Sequence, residues 1–597
     1  MNAVAVEIPK SALELEIRAL WQGDTLQTVE GSGSSYTVVD SKGRLWFGTY
    51  DHYSRHAIRS GMARIDNNEE ECLFTSVFES EGDDTTYNVL RVGVLKDMEL
   101  FGKLYLEMSR YDDEDTEAVM DALTRLAGIE VKIPDDEETQ VSRVEYLIAL
   151  KEMAKKKTLA YDRQAKMLVT IEQASLQSSM QGPYLHIQMG ATALFGEKMV
   201  DVTKYCQAWE ARLKRGEMQF TPATPEQIEQ CVAYGRELSD KFIRPEGYVH
   251  AQYEGNTYTP SQFGRVTKFT KSRVVIDPKG CQTFDTQNFR SLMALEGVEV
   301  NTNEDDEITI VDNPTDEQVG KVLPFLILFN LTTSRWAVGN VKHAKPVQHR
   351  EDAFDKVVLA NSRKRLVRAL TSFHNEGGKN VDIIDGKGGG NIFLLDGAPG
   401  TGKTLTAEAT AEELKRILYK VSLGELGSDV GRLETTLTKI LGLAERWDAV
   451  LLIDEADVFL EKRSSENLAR NAVVAVFLRL LEYFGGILFM TTNRGDNLDE
   501  AFLSRVTLGL HFQKPDEDGQ TAIWNGLLKN SGIKLTETDV QTLVGYGING
   551  REIKNAINTA HAIAAADRCP VNTSHIREIL DAKRLFIKEV AESTRQK

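Results

Sequence analysis

Two short clusters hold the side chains best suited to chemistry. Residues 391–404 read NIFLLDGAPGTGKT, in which Gly397, Ala398, Pro399, Gly400, Thr401, Gly402, Lys403 and Thr404 follow the spacing G-x-x-x-x-G-K-[ST]. Glycines at those positions let backbone N–H groups turn inward and cradle phosphate oxygens. Lys403 would then reach the β- and γ-phosphates of a nucleotide, and the Thr404 hydroxyl would ligate magnesium. About fifty residues downstream, VLLIDE ends in two adjacent carboxylates, Asp454 and Glu455. Asp454 suits holding the magnesium through water, and Glu455 suits polarising an attacking water as a general base. Paired carboxylates alone often mean a metal site or a helix cap; behind a phosphate loop they predict nucleotide hydrolysis.

Such residues need rigid elements to aim them. The apolar run Ile392–Leu395 predicts a strand entering the loop, and a helical pattern follows it through Leu418. Val450–Ile453 predicts a second buried parallel strand whose C-terminal end sets Asp454 beside the loop. The expected fold is a doubly wound parallel α/β sheet over 352–514 with a helical lid over 515–597, preceded by a mixed α+β region.

These motifs, in this order, resemble the AAA-type (AAA+) ATPases over roughly residues 352 to 597. GAPGTGKT is similar to the family's Walker A and LLIDEAD to its Walker B. ILFMTTNR ends a strand at Asn493, which the resemblance makes the sensor 1 residue that orients the lytic water. LDEAFLSRV resembles the segment carrying arginine fingers, and INGREIKNAI resembles sensor 2, with Arg551 as the γ-phosphate contact. The wording from GRLETTL to FMTTNR is most similar to a large set of AAA proteins common in fungi, which carry a long N-terminal region. That region ends near a motif like Trp336 to Phe354 here. The set is related to the mitochondrial translocase that exports a folded Rieske iron–sulfur protein. The resemblance implies ATP and Mg2+ as cofactors and a homo-hexamer as the assembly.

Two departures from the family pattern matter. Relatives that sever microtubules have two adjacent fingers where this chain has Ser504-Arg505, so only Arg505 can act. One finger supplied across an interface is worth about 10³ to 10⁵ in rate. Peptide-threading relatives place an aromatic residue in the first pore loop, where SLGELGSDVGRLE has Asp429. A carboxylate cannot grip substrate by stacking, so a ring of Asp429 residues favours a basic or folded partner, or no threading.

The chain has 597 residues, which predicts about three to five domains. The expected divisions are a mostly-β region at 1–130, a helical region at 131–245 and a mixed strand-rich region at 246–351, ahead of the ATPase and lid. With 71 basic and 89 acidic side chains the formal charge is −18, which argues against non-specific coating of nucleic acid or anionic membrane. Five widely spaced cysteines form no Cys-x-x-Cys pair and read as reduced thiols. The N-terminus lacks a basic, apolar leader, and the apolar run Val322–Phe329 is broken by Pro324 and far shorter than the roughly 20 residues of a membrane helix. A soluble cytoplasmic or nuclear protein with no membrane span is expected.

Other features read as structure. Thr37–Asp40 and Arg44–Gly48 flank Ser41-Lys42-Gly43 as a hairpin. GSGSS at 31–35 lacks a GKT ending and reads as a turn; His52 and His56 lack a third ligand and read as solvent-facing. Acidic clusters at 112–117, 135–138 and 304–307 read as solvated loops, and Lys155–Lys157 as a helix face. No fixed-period repeat is present. The leading expectation is an oligomeric ATP-driven machine that remodels or translocates a protein or protein complex recognised by the N-terminal region. A nucleic-acid motor or loader is the alternative; Arg363, Lys364, Arg365 and Arg368 are its best candidates, although a helix packing on the ATPase explains them better. A nucleotide-dependent assembly switch without threading is the third reading.

Overall fold

The computed structural model describes six short strands within residues 20–90 and, from Gln140 to Arg595, all but 180–181, 211, 263, 304–306, 376–388, 423–429, 461–467 and 496–497. His52, His56, Asp429 and the acidic clusters at 112–117 and 135–138 lie outside the described residues. The predicted hairpin is present as strands Ser35–Val39 and Leu45–Thr49, paired antiparallel. Two compact units divide the chain, one of residues 1–244 with 290–324, the other of 245–289 with 325–597. Among the described residues no helix is long and apolar enough to cross a membrane.

In the first unit the sequence reading needs correction. Among the described residues of the expected helical region at 131–245, α-helix forms at the flanks, Arg143–Lys156 and Pro225–Phe242, each started by a capping box. Between them lie the long strands Met167–Ser179, Gly182–Phe195 and Lys198–Ala208, the centre of a seven-stranded antiparallel sheet. Leu185, Ile187, Met189, Ala191 and Ala193 are buried at every second position. That period of two belongs to a strand with one face on a core. The flanking periodicity of 3.6 does not extend through this stretch.

The second unit holds two separate buried apolar clusters, one in a parallel sheet and one in a helical bundle. A parallel sheet runs Leu418–Ser422, Val450–Asp454, Ile487–Thr492, Asn391–Gly397, Leu508–Phe512 in that spatial order. Its central strands are buried along almost their whole length, as parallel strands covered on both faces must be. The helix after the loop is shorter than the pattern suggests: it spans Lys403–Glu413, Lys415 turns left-handed at φ 56°, and Leu418 already opens the next strand. Four helices, Glu517–Ser531, Glu537–Val544, Gly550–Ala566 and Thr573–Arg595, pack around Trp524, Leu543, Ile553, Ala560 and Ile576.

An antiparallel sheet precedes the parallel one. Strands Val249–Ser261, Gly264–Ile276, Phe325–Asn330 and Arg335–Asn340 pair in a closed cycle, because the first pairs with both the second and the fourth. This β ring is anchored on the core of the parallel sheet through Asp277, which caps the helix Pro278–Phe284 and is completely buried. Its carboxylate accepts from Gly280 N, from Arg446 Nε at 2.6 Å and Nη2 at 2.8 Å, and from Trp447 Nε1 at 2.8 Å. Phe329 from the ring meets Tyr419 and Trp447 from the core, and Trp336 meets Trp447, edge-on or tilted with centroids 5.1–6.1 Å apart. The helix Asn361–Asn375 uses its basic run in the same way. Arg363 donates to His511 O, Lys364 to Asp355 O, and Arg368 to Glu413 and Asp355 while lying over the Phe354 ring.

A second contact joins the ring to the helix Lys403–Glu413. Glu412 pairs with Arg273 and lies 3.5 Å from His349, and its other oxygen accepts from Arg350 N. Burial opposes ionisation of Glu412, but Arg273 and the Arg350 N–H outweigh it and hold the carboxyl below its usual range. Nearby His250 has a buried Nε2 without a hydrogen-bond partner. Burial, then the charges of Arg273 and His349, pushes its pKa down to about 3.

Two outcomes follow from these anchors. Asp277→Ala would strand the Arg446 charge and the Trp447 N–H, and should cost about 3–5 kcal/mol of stability in denaturant melts of the full chain. A loss below about 1 kcal/mol would show that the anchor is dispensable. His250 is neutral when folded but protonates when unfolded, so its contribution is present above about pH 6.5 and is lost as pH falls toward 3. The stability difference between wild type and His250→Gln should therefore change by roughly 1.4 kcal/mol per pH unit between pH 6.5 and 5.

Candidate functional site

The C-terminal end of the parallel sheet carries the candidate residues. The loop after Asn391–Gly397 turns into the helix Lys403–Glu413 through Gly402, at φ 104°. No side chain caps that helix, so its first N–H groups are open to an anion. Gly400 is required twice over: its φ is 79°, and a Cβ there would stand 2.5 Å from Asn549 Oδ1. Asn549 caps the lid helix Gly550–Ala566, so the lid's first residues lie directly on the loop. Arg551, exposed, is among them, its Cβ 3.2 Å from where a Gly400 Cβ would be.

Lys403 is almost fully buried and donates to Gly397 O, to Ala398 O and, at 2.9 Å, to Asn493 Oδ1. Burial lowers its pKa from the ordinary lysine value, against the pull of Asp396, Asp454 and Asp457. Asn493 follows directly on the strand Ile487–Thr492, and its N–H donates to Asp457 Oδ1 at 3.1 Å. Thr401 Oγ1 donates to Ala398 O, closing the loop on itself.

Asp454 ends its strand half-buried, with the Thr404 hydroxyl 3.2 Å from Oδ1. Thr491 Oγ1 donates to the same oxygen at 2.6 Å, and Lys420 Nζ stands 2.6 Å from Oδ2. Burial resists ionisation of Asp454, but the hydrogen bonds from Lys420, Thr491 and Thr404 keep its carboxyl below the usual range. Glu455 adopts φ 56°, a left-handed conformation costing of order 1–3 kcal/mol in a non-glycine residue. Its N–H is held by Thr491 Oγ1 at 2.9 Å while its side chain is exposed. The strained turn thus sends the two neighbouring carboxylates to different surroundings.

Hydroxyl and carboxylate oxygens at Thr404 and Asp454 are the hard donors magnesium takes, so this pair fits that cation. Among the described residues no group of three or more His, Cys, Asp or Glu could hold a metal by itself. A cation shared with phosphate oxygens needs no such group.

Two hydrogen-bonded pairs, Lys403 with Asn493 and Thr404 with Asp454, are therefore brought side by side by the adjacent Lys403 and Thr404, and Arg551 borders the loop. Arg505 is engaged elsewhere: Nη1 donates to Ala501 O at 2.8 Å, and Nη2 lies 3.3 Å from Glu482 Oε2. Sequence reasoning missed Lys420, Thr491 and Glu482. Thr491 had a signal, the hydroxyl pair in MTTN beside Asn493; the other two meet their partners only through the fold.

Residues 393–514 match the model of the ATPase family associated with various cellular activities (AAA). The chain is 32% identical over 174 residues to the ATPase family AAA domain-containing protein FIGL1 of Arabidopsis thaliana, covering 27% of this chain and 26% of that protein. It is 31% identical over 167 residues to spastin of Drosophila willistoni, covering 26% and 22%. The chain thus spans about a quarter of the length of these relatives. The solved FIGL-1 AAA domain in complex with ADP aligns with 41% of this chain and 92% of that one, at 21% identity and a TM-score of 0.32. Residues 393–514 of this chain are an AAA domain.

Proposed function

We propose that this AAA domain binds and hydrolyses ATP with magnesium, and that the chain works as an oligomer that remodels or translocates a protein or protein complex. The observation that carries the reading is the linked set of Lys403, Asn493, Thr404 and Asp454 around an uncapped helix N-terminus. Phosphate oxygens fit the N–H groups after Gly400 and Gly402, with Lys403 donating to the terminal phosphates. Magnesium would supply charge neutralisation at those phosphates, held by Thr404 directly and by Asp454 through water. Glu455 is the general base: exposed, adjacent to Asp454 and aimed away from it by the left-handed turn. Asn493 orients the water, and Arg551 reaches the γ-phosphate from the lid.

Arg505 is the finger that acts on the nucleotide of a neighbouring copy, which is why the proposal is oligomeric, with six subunits by analogy with the family. To act there it must leave Glu482, so that ion pair holds the finger in its own subunit until a neighbour docks. The alternative as a nucleic-acid motor is less favoured, because three of its four basic residues, Arg363, Lys364 and Arg368, are bonded within the fold. The wording of residues 431–494 and the segment Trp336–Phe354 support kinship with the fungal AAA set. A partner recognised by the residues ahead of the ATPase completes the reading.

Three variants test the chemistry in the full chain. Lys403→Ala should lose affinity for a fluorescent ATP analogue by at least about tenfold, the loss of one charged contact to phosphate. Glu455→Gln should bind ATP normally and hydrolyse it about 10²- to 10⁴-fold more slowly. With ATP bound, this variant should shift in light scattering toward about six subunits, the family's number; a persistent monomer would favour the switch reading. Arg505→Ala should also bind normally but turn over about 10³-fold or more slowly. Turnover at the wild-type rate would remove Arg505 from the catalytic set.

A further inference from the structure

Lys420 sits on Leu418–Ser422, the edge strand of the parallel sheet, on the face away from the buried Tyr419 and Val421. That strand pairs in parallel register with Val450–Asp454, Ser422 lying opposite Asp454. Lys420 is two residues back on the same face as Ser422, so its four-carbon stem spans the remaining distance and brings Nζ to 2.6 Å from Asp454 Oδ2. The other oxygen, Oδ1, is already engaged by Thr491 Oγ1 at 2.6 Å, while Thr404 Oγ1 lies 3.2 Å from Oδ1 and 3.4 Å from Oδ2. The ammonium therefore shares Oδ2, the oxygen not bonded to Thr491, with the Thr404 hydroxyl. It is a compact point charge on a flexible stem, chemically the nearest thing a side chain offers to a small hard cation. With its side chain 43% exposed, Lys420 has room to swing away; Asp454, 21% exposed and bonded on both oxygens, does not.

We infer that Lys420 competes with the divalent cation for Asp454, so that loading the cation beside nucleotide requires Lys420 to release the carboxylate. The inference rests on the nucleotide-site reading above and deepens it by setting the cation demand of that site. Lys420 has two opposed effects. It raises the concentration of divalent cation needed to fill the site. It also neutralises Asp454 toward phosphate when no cation accompanies the nucleotide, so metal-free nucleotide binds more readily than it would beside a bare carboxylate.

The test uses the full chain as wild type, Lys420→Met and Lys420→Arg. Free Mn2+ is followed by electron paramagnetic resonance during titration of protein saturated with a non-hydrolysable ATP analogue. In parallel, a fluorescent ADP is titrated in the presence of EDTA. Lys420→Met should bind Mn2+ roughly two- to fivefold more tightly and metal-free ADP weaker by a similar factor, the range for a partly exposed ion pair. Lys420→Arg, which keeps the charge, should stay close to wild type in both. Mn2+ affinity that is unchanged or weaker in Lys420→Met, with fluorescent nucleotide still bound, overturns the competition and leaves Lys420 a strand-edge ion pair. A wild-type protein that binds neither nucleotide nor Mn2+ instead overturns the nucleotide-site reading itself. Should Lys420→Met fail to fold, Lys420→Gln gives the same comparison, because it also removes the charge.

Discussion

The helix Lys403–Glu413 is constrained at both ends by opposite means, and the rest of the second unit is arranged around it. At its start no side chain satisfies the first N–H groups, which leaves a local positive potential where the loop opens. At its end Glu412 is tied to Arg273, His349 and the Arg350 N–H, all from segments that precede the parallel sheet in sequence. Between the ends, Thr406, Ala407, Thr410 and Ala411 are buried, and Ala407, Ala409 and Ala411 join the core of the parallel sheet. Small residues there let helix and strands approach closely, so a shift at the loop cannot be absorbed by loose packing. The β ring thus holds the far end of the element whose near end would meet phosphate.

The carboxylates around the loop differ in their surroundings more than in their chemistry. Asp454 is bonded on both oxygens and held ionised; Glu455, its neighbour in sequence, is turned outward by one left-handed residue. Asp457 accepts from Thr492 Oγ1 and from the Asn493 N–H, which fixes the residue whose side chain meets Lys403. Three acids within four positions thereby meet three surroundings: Asp454 bonded on both oxygens, Glu455 exposed, and Asp457 capping the Asn493 N–H. Each separation comes from backbone direction and hydroxyl partners, and none requires a different residue type.

How much of this could be read from sequence depends on how far apart the partners lie. The loop Gly397–Thr404 and the strand ending at Asp454 were legible because their requirements are local: glycine where the backbone turns left-handed, four apolar residues where a strand is buried. Asn493 and Arg551 were legible only through resemblance. The anchor at Asp277 was not, since its partners Arg446 and Trp447 are 169 and 170 residues away and no local pattern marks an aspartate that will be buried. The same holds for Lys420 with Asp454 and for Glu412 with Arg273. The helical region expected at 131–245 fails for another reason. Two genuinely helical segments bracket strands whose alternation is diluted by Gln, Ser and Gly, so their period of two is faint beside the helical period of the flanks.

The buried Asp277 also bears on how such a domain can be exchanged between proteins. The boundary suggested by the AAA motif alone falls near residue 393, yet Trp447 and Arg446, inside that motif, complete their bonding with residues from 247, 248 and 277. A donor domain cut at the motif and grafted behind this β ring would have to bring its own indole and guanidinium to Asp277, or leave a naked carboxylate in an apolar joint. Keeping every bond of the Asp277 joint therefore means moving the ring and the parallel sheet together.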